Sequence, residues 1–216
     1  MGQREEIIAR ETMLKKIRDA LLVQKEHPYE DEDLSMDVFT QIDEMPELVF
    51  ARKFMEAGGS FVFCEDVNDF HIQFNAMIDQ YNWNKFRIGS KAILDFTGLP
   101  ENMIIQPESS TGEEVSITRC EYLAARTGSI VISTTVCPDR LAWSYCHSHI
   151  VIAATEQVVE GLTQAYKLIK EKYSENYPSL VSVITGPSRT ADIEKQLVMG
   201  AHGPAQVFVF LIDKIS

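Results

Sequence analysis

The stretch "HIVIAATEQVVEGLTQAYKLIKEKYSENYPSLVSVIT", residues 149–185, decides the fold class. It opens on an apolar run, HIVIAA, and closes on another, LVSVIT. Between them Val159, Leu162, Tyr166 and Ile169 recur at spacings of three and four. That spacing lays four apolar side chains along one stripe of a helix. The flanking runs do not alternate polar with apolar, which suits strands covered on both faces. Strand, helix, strand in this order is an α/β pattern, and the reading makes the helix a right-handed crossover between parallel strands.

The same pattern extends outward in both directions. PELVFARKFMEAGG (46–59) reads as a helix with a proline in its first turn and Gly58-Gly59 as its stop, and SFVFCE (60–65) follows as a strand. Phe70, Phe74, Met77 and Tyr81 fall at spacings of four, three and four, the stripe of a helix laid on a sheet. KAILDF (91–96), SIVIS (129–133) and QVFVFLI (206–212) are read as further strands. The expected fold is α/β, a parallel-rich sheet flanked by helices with an N-terminal helical extension. That extension is a helix over 5–25, marked by Ile7, Leu14, Ile17 and Leu21 and ending before His27-Pro28. The acidic YEDEDLSMD (29–37) after it reads as a solvated linker rather than a docking arm for a basic partner. The domain assignment is 1–45 for helix and linker and 46–216 for the α/β domain.

Composition bounds the function. At 216 residues and 45% hydrophobic content the chain suffices for one sizeable core. A net charge of −12 argues against nucleic acid, which is held chiefly by clustered Lys and Arg. No window approaches the ~20 apolar residues of a bilayer span, and the N-terminus has no continuous apolar leader core, so the expectation is a cytoplasmic protein without membrane contact. Cys64, Cys120, Cys137 and Cys146 form no CxxC pair and read as reduced and structural. Within CPDRLAWSYCHSH, Cys137, Cys146, His147 and His149 invite a metal site, but their spacing matches no zinc or cluster pattern. Neither a metal nor a cofactor is expected.

The most polar and most bent stretch is TGPSRTADIEKQLVMGAHGP (185–204), directly after LVSVIT. ADIEKQLVMG has helical composition, so Gly186 to Thr190 reads as a strand-to-helix turn. Free N–H groups at a helix N-terminus, the hydroxyls of Ser188 and Thr190 and the Arg189 guanidinium would cradle a carboxylate or phosphate, with Gly186 permitting close approach. The same residues also fit a plain helix cap, with Asp192 and Glu194 offsetting the dipole or Asp192 pairing with Arg189.

GPSRTADIE followed by GxHGP, with RTGSIVIS and HSHIVIAATEQVVEGL upstream, resembles the LUD-domain family, the lactate-utilisation protein C group, from about residue 50 to the C-terminus. The resemblance implies a fold similar to the NagB/RpiA/CoA-transferase superfamily. It also implies a role beside iron–sulfur partner proteins in oxidising L-lactate. Carried onto this sequence, it nominates Thr127, Gly128, His149, Gly186, Ser188, Arg189, Thr190, Asp192, His202 and Gly203 as ligand-binding, and names no catalytic residue. Glu121, read as lying about two helical turns ahead of the Thr127-Gly128 turn, is a further candidate. The chain departs from the family pattern at Arg126, Ser129 and Tyr145-Cys146.

Two functions remain open. One is a non-redox subunit of a lactate-oxidising system that binds a small anionic metabolite at the GPSRTADIE turn. The alternative is a stand-alone enzyme of the wider superfamily acting on a phosphorylated or acyl-activated metabolite. The chain has neither a cysteine cluster motif nor GxGxxG, which favours electron transfer in a partner.

Overall fold

The computed structural model describes residues 2–22, 42–106, 111–112, 114–190, 198–200 and 203–214. They divide into two units, residues 1–41 and 42–216. The first contains α1 (Gly2–Leu22), on which Ile7, Leu14, Ile17 and Leu21 are exposed. The end of the expected 5–25 helix and the acidic stretch 29–37 lie outside the described residues.

In the second unit, α2 (Pro46–Glu56) starts on its proline with Glu47 in the first turn, as the dipole favours. β1 (Ser60–Asp66) leads into α3 (Val67–Tyr81), whose cap is the Asp66 carboxylate accepting from the Asp69 amide at 2.9 Å. β2 (Phe86–Ile88), α4 (Lys91–Thr97), β3 (Val115–Arg119), β4 (Tyr122–Ala124), β5 (Ser129–Ser133), α5 (Leu141–Ser144) and β6 (Ser148–Ala154) follow. The chain continues through β7 (Val158–Val159), α6 (Leu162–Lys172), β8 (Val181–Ile184), β9 (Arg189–Thr190), β10 (Val198–Met199) and β11 (Gln206–Lys214).

Five strands form a wholly parallel sheet in the order β1-β11-β6-β3-β2. Successive residues of its central strands point to opposite faces. Ile150, Ile152, Phe208 and Phe210 pack under α3 and α4 with Phe70, Phe74 and Ile93. Val151, Ala153, Val207 and Val209 face the other way, into a core shared with Phe50 and Phe54 of α2 and with Leu123, Ile130 and Ile132 of a second sheet. That second sheet has the order β7-β4-β5-β8, and its outer side is covered by Ala165 and Ile169 of α6.

The structure departs from the sequence pattern in four places. KAILDF is α4, a helix ended by Gly98 at φ 65, whereas a strand was expected. SIVIS and LVSVIT are β5 and β8, which pair antiparallel in the second sheet. The four residues between β4 and β5 are far fewer than the dozen or so a parallel crossover needs, so this pair must be antiparallel. Consequently α6 does not cross between neighbours of one parallel sheet, because β6 and β8 belong to different sheets. The helix expected over 191–200 is not borne out at its C-terminal end, since Val198 and Met199 pair with Thr190 and Arg189 as an antiparallel ladder.

Candidate functional site

Three segments meet at one junction. The first is the turn between β4 and β5, where Gly128 adopts φ 61. A Cβ at Gly128 would collide with the Phe54 amide nitrogen and the Lys53 carbonyl carbon, so the turn lies directly on the α2 backbone. The second is the turn after β8, where a Cβ at Gly186 would collide with the Ala57 carbonyl oxygen. The third is the helix end itself, Ala57-Gly58. Two close backbone approaches thus press the predicted TG and GPSR turns against one helix terminus.

Arg189 reaches back over this terminus and its Nη2 donates to the Ala57 carbonyl. Gly58 leaves the space, since a Cβ there would sit 2.6 Å from that nitrogen. A guanidinium at a helix C-terminus meets the negative end of the dipole and an otherwise unsatisfied carbonyl. The side chain is exposed, and it has five donors in all. The two turns are joined to each other by a chain of hydroxyls. Ser129 Oγ donates to Thr127 Oγ1 at 2.7 Å and meets Thr185 Oγ1 at 2.7 Å. Ser129 has one hydrogen and gives it to Thr127, so Thr185 donates to Ser129 and the Thr127 hydroxyl keeps its own hydrogen for another acceptor.

The remaining nominated residues divide. The Ser188 amide donates to the Pro204 carbonyl at 2.9 Å, and the Ser188 carbonyl accepts from the Gly200 amide at 3.0 Å. These bonds stitch the GPSR turn to the segment before β11, and a Cβ at Gly203 would come within 3.2 Å of the Ser188 Cβ. The Ser188 N–H is therefore used within the fold, β9 occupies the end of the expected turn, and residues 191–197, where the helix was expected to begin, lie outside the described residues. Asp192 and His202 lie outside the described residues, as does the Thr190 side chain.

His149 stands apart, fully buried in β6, with Nε2 at 2.8 Å from the Thr118 hydroxyl. Burial pushes its pKa down to about 3, so the ring is neutral at pH 7. Glu121 does not join the TG turn. It sits between β3 and β4, where its amide donates to the Val131 carbonyl, at the opposite end of the β4–β5 hairpin. Its buried carboxylate accepts from the Ser133 hydroxyl and, at 2.9 Å, from Lys172 of α6. A carboxylate locked this way ties α6 to β5.

The four cysteines are all buried. Burial pushes Cys64, Cys137 and Cys146 up to about 12 and Cys120 in the same direction. Cys137 donates to the Gly89 and Asp139 carbonyls and Cys146 to that of Ala142, contacts of structural thiols. Among the described residues no three of His, Cys, Asp and Glu are grouped as a metal site would group them. Sequence reasoning missed Ala57, Ser129 and Thr185. The Gly58-Gly59 pair and the departure at Ser129 were the available signals.

Together these features define a mixed α/β protein in which a parallel sheet and a smaller sheet share one core, with a polar junction at the end of α2. Residues 50–212 match the LUD domain, and the chain belongs to the LUD-domain family. It is 35% identical over 102 residues to lactate utilization protein C 1 of Bacillus mycoides (strain KBAB4), covering 46% of this chain and 44% of that protein. It is 33% identical over 101 residues to lactate utilization protein C of Bacillus subtilis (strain 168), covering 46% and 42%. The matched part thus spans less than half the length of these relatives. In fold it is similar to the crystal structure of a DUF162 family protein from Deinococcus radiodurans, with a TM-score of 0.55 at 14% identity, covering 77% of this chain and 96% of the other.

Proposed function

We propose that this chain is a non-redox component of a lactate-utilisation system, working in the cytoplasm beside iron–sulfur proteins that carry the electrons. The function is assigned to the α/β domain, residues 46–216. Its relatives named lactate utilization protein C support the pathway. The placement of its cysteines supports the division of labour, because all four are buried and, among the described residues, no three of His, Cys, Asp and Glu are grouped as a cluster would need its ligands grouped.

Within this reading the α2 junction binds a small anionic metabolite. The observation that carries it is the exposed Arg189 guanidinium, anchored by one nitrogen to the Ala57 carbonyl at the helix end on which the Thr127-Gly128 turn also packs. An anion accepting from the remaining guanidinium N–H groups and from Thr127 would complete the arrangement. The test is calorimetric titration with lactate, pyruvate and inorganic phosphate. Arg189→Ala is expected to weaken binding by about 1.5–3 kcal/mol, the usual worth of a charge-assisted hydrogen bond. Arg189→Lys should restore part of the loss, since an ammonium lacks the planar two-pronged grip. If Arg189→Ala lowers the melting temperature and leaves affinity untouched, the guanidinium is only a cap for α2 and the anion site is wrong.

A further inference from the structure

α1 carries an apolar stripe that nothing among the described residues covers. Ile7, Leu14 and Leu21 recur every seven residues, and Ile17 falls three after Leu14. Their relative exposures are 60%, 40%, 79% and 49%. Met13 widens the stripe on one flank and is exposed as well. A helix of 21 residues is marginal in water by itself, because most helical stability in proteins comes from packing an apolar face. The stripe therefore calls for an occupant.

A seven-residue apolar repeat is the seam of a coiled coil. Ile7, Leu14 and Leu21 take the first core position, and Arg10 and Ile17 take the second, three residues further on. Glu11 and Arg18 each follow a second core position directly and so border the seam. These charges select what sits across it. In a parallel pair of α1 helices Arg10 would meet Arg10 of the second copy in the core, two like charges drawn out of water. In an antiparallel pair each first-position residue meets a second-position residue, and the two helix dipoles oppose. Setting Leu14 against Ile17 of the second copy places Leu21 against Arg10 of the second copy at either end, where the arginine stem covers the leucine and its head reaches water. The same register brings Glu11 beside Arg18 of the second copy, twice by symmetry. Sliding to the next longer overlap would instead put Glu11 beside Glu11. Lys15, Lys16 and Asp19 on the rest of the surface mix both signs, which suits a protein partner better than an anionic lipid surface that attracts clustered cations.

We propose that α1 is a self-association helix. Two copies of this chain pair through antiparallel α1 helices, with Leu14 and Ile17 of each at the centre and two Glu11–Arg18 ion pairs along the border. The overlap is about two heptads per helix, a short seam that makes the dimer weak and dependent on concentration.

The test is sedimentation equilibrium of the full chain across the micromolar range, where wild type should pass from monomer to dimer. Glu11→Arg or Arg18→Glu alone sets like charges against each other twice per dimer and should weaken association about tenfold or more. The double variant, Glu11→Arg with Arg18→Glu, restores opposite charges and should recover wild-type association. Along one helix the two residues are about 10.5 Å apart, beyond ion-pair reach, so that recovery reports a contact between helices. Leu14→Asp puts a charge at the centre of the seam and should leave a monomer. The proposal is overturned if wild type stays monomeric throughout, if either single reversal leaves association unchanged, or if the double variant remains as weak as the singles. A dimer that survives Leu14→Asp would place the interface elsewhere and overturn it too. Flotation of a monomeric wild type with phosphatidylglycerol vesicles would give the stripe to a membrane surface instead.

Discussion

His149 shows how one side chain makes the fold sensitive to acid. Its ring is fully buried and burial alone pushes the pKa down to about 3, against an ordinary value near 6.5. The unfolded chain therefore takes up a proton on this residue over a range in which the folded chain does not. Stability linked to His149 is fully present above about pH 6.5, is lost as pH falls, and levels off only near pH 3. The slope is at most about 1.4 kcal/mol per pH unit for a single group. Carboxylates also titrate at the lower end, so the comparison must be with a variant. His149→Asn is expected to unfold with a visibly shallower pH dependence between pH 6.5 and 4.5, whatever its absolute stability. Denaturant unfolding at several pH values checks this, and parallel curves for the two proteins would show that His149 is not the titrating group.

At the scale of elements, the glycines show which turns are held by packing and which by backbone conformation alone. Gly98 ends α4 at φ 65 with open space where a Cβ would go, whereas Gly128, at φ 61, lies against the α2 backbone. Gly98→Ala should cost only the left-handed penalty, about 1–2 kcal/mol. Gly128→Ala adds an overpacking clash and should cost about 3 kcal/mol or more, read as a drop in urea midpoint beyond that of Gly98→Ala. Equal losses would mean that α2 shifts freely and does not position the junction. Much of this element structure was legible in sequence. Proline at the start of α2, two glycines after it and the Phe70–Phe74–Met77–Tyr81 spacing gave α2 and α3, and the unbroken apolar runs gave β6 and β11. KAILDF was ambiguous because six apolar-rich residues suit a strand or two turns of helix, and the Gly98-Leu99-Pro100 stop was the signal to weigh. SIVIS misled for a different reason. β5 is covered on both faces, Val131 by α6 and Ile130 and Ile132 by the shared core, so an antiparallel strand carries the unbroken apolar run expected of a parallel one. At the site, bent and polar turns announced Gly128, Gly186 and Arg189. Their common support, the end of α2, is some 70 and 130 residues away in the chain and is set by packing. The cross-strand alignment of Arg87, Ser116 and His149 is set by strand register, which no local pattern reveals.

At the scale of the whole molecule, the placement of the thiols bears on the proposed division of labour. All four cysteines of the chain are described, and each is buried against apolar neighbours or backbone carbonyls. Burial raises every one of them, three to about 12, so at pH 7 none offers the thiolate that a thiol–disulfide relay requires, and among the described residues none is grouped with two further His, Cys, Asp or Glu as cluster ligands would be. Exposing them to build such a centre would open the core that α2 and both sheets share. An iron–sulfur centre of a lactate-utilisation system is therefore expected in a partner. The purified chain should show no visible iron–sulfur absorbance and no lactate-dependent dye reduction alone, and on the proposed reading dye reduction should appear once iron–sulfur proteins of the same system are added. Thiol titration gives an independent reading: about four cysteines should react with a disulfide reagent in denaturant and almost none in the native protein. A cluster spectrum that survives purification of this chain alone, or rapid reaction of native thiols, would place the redox chemistry here and overturn the division of labour.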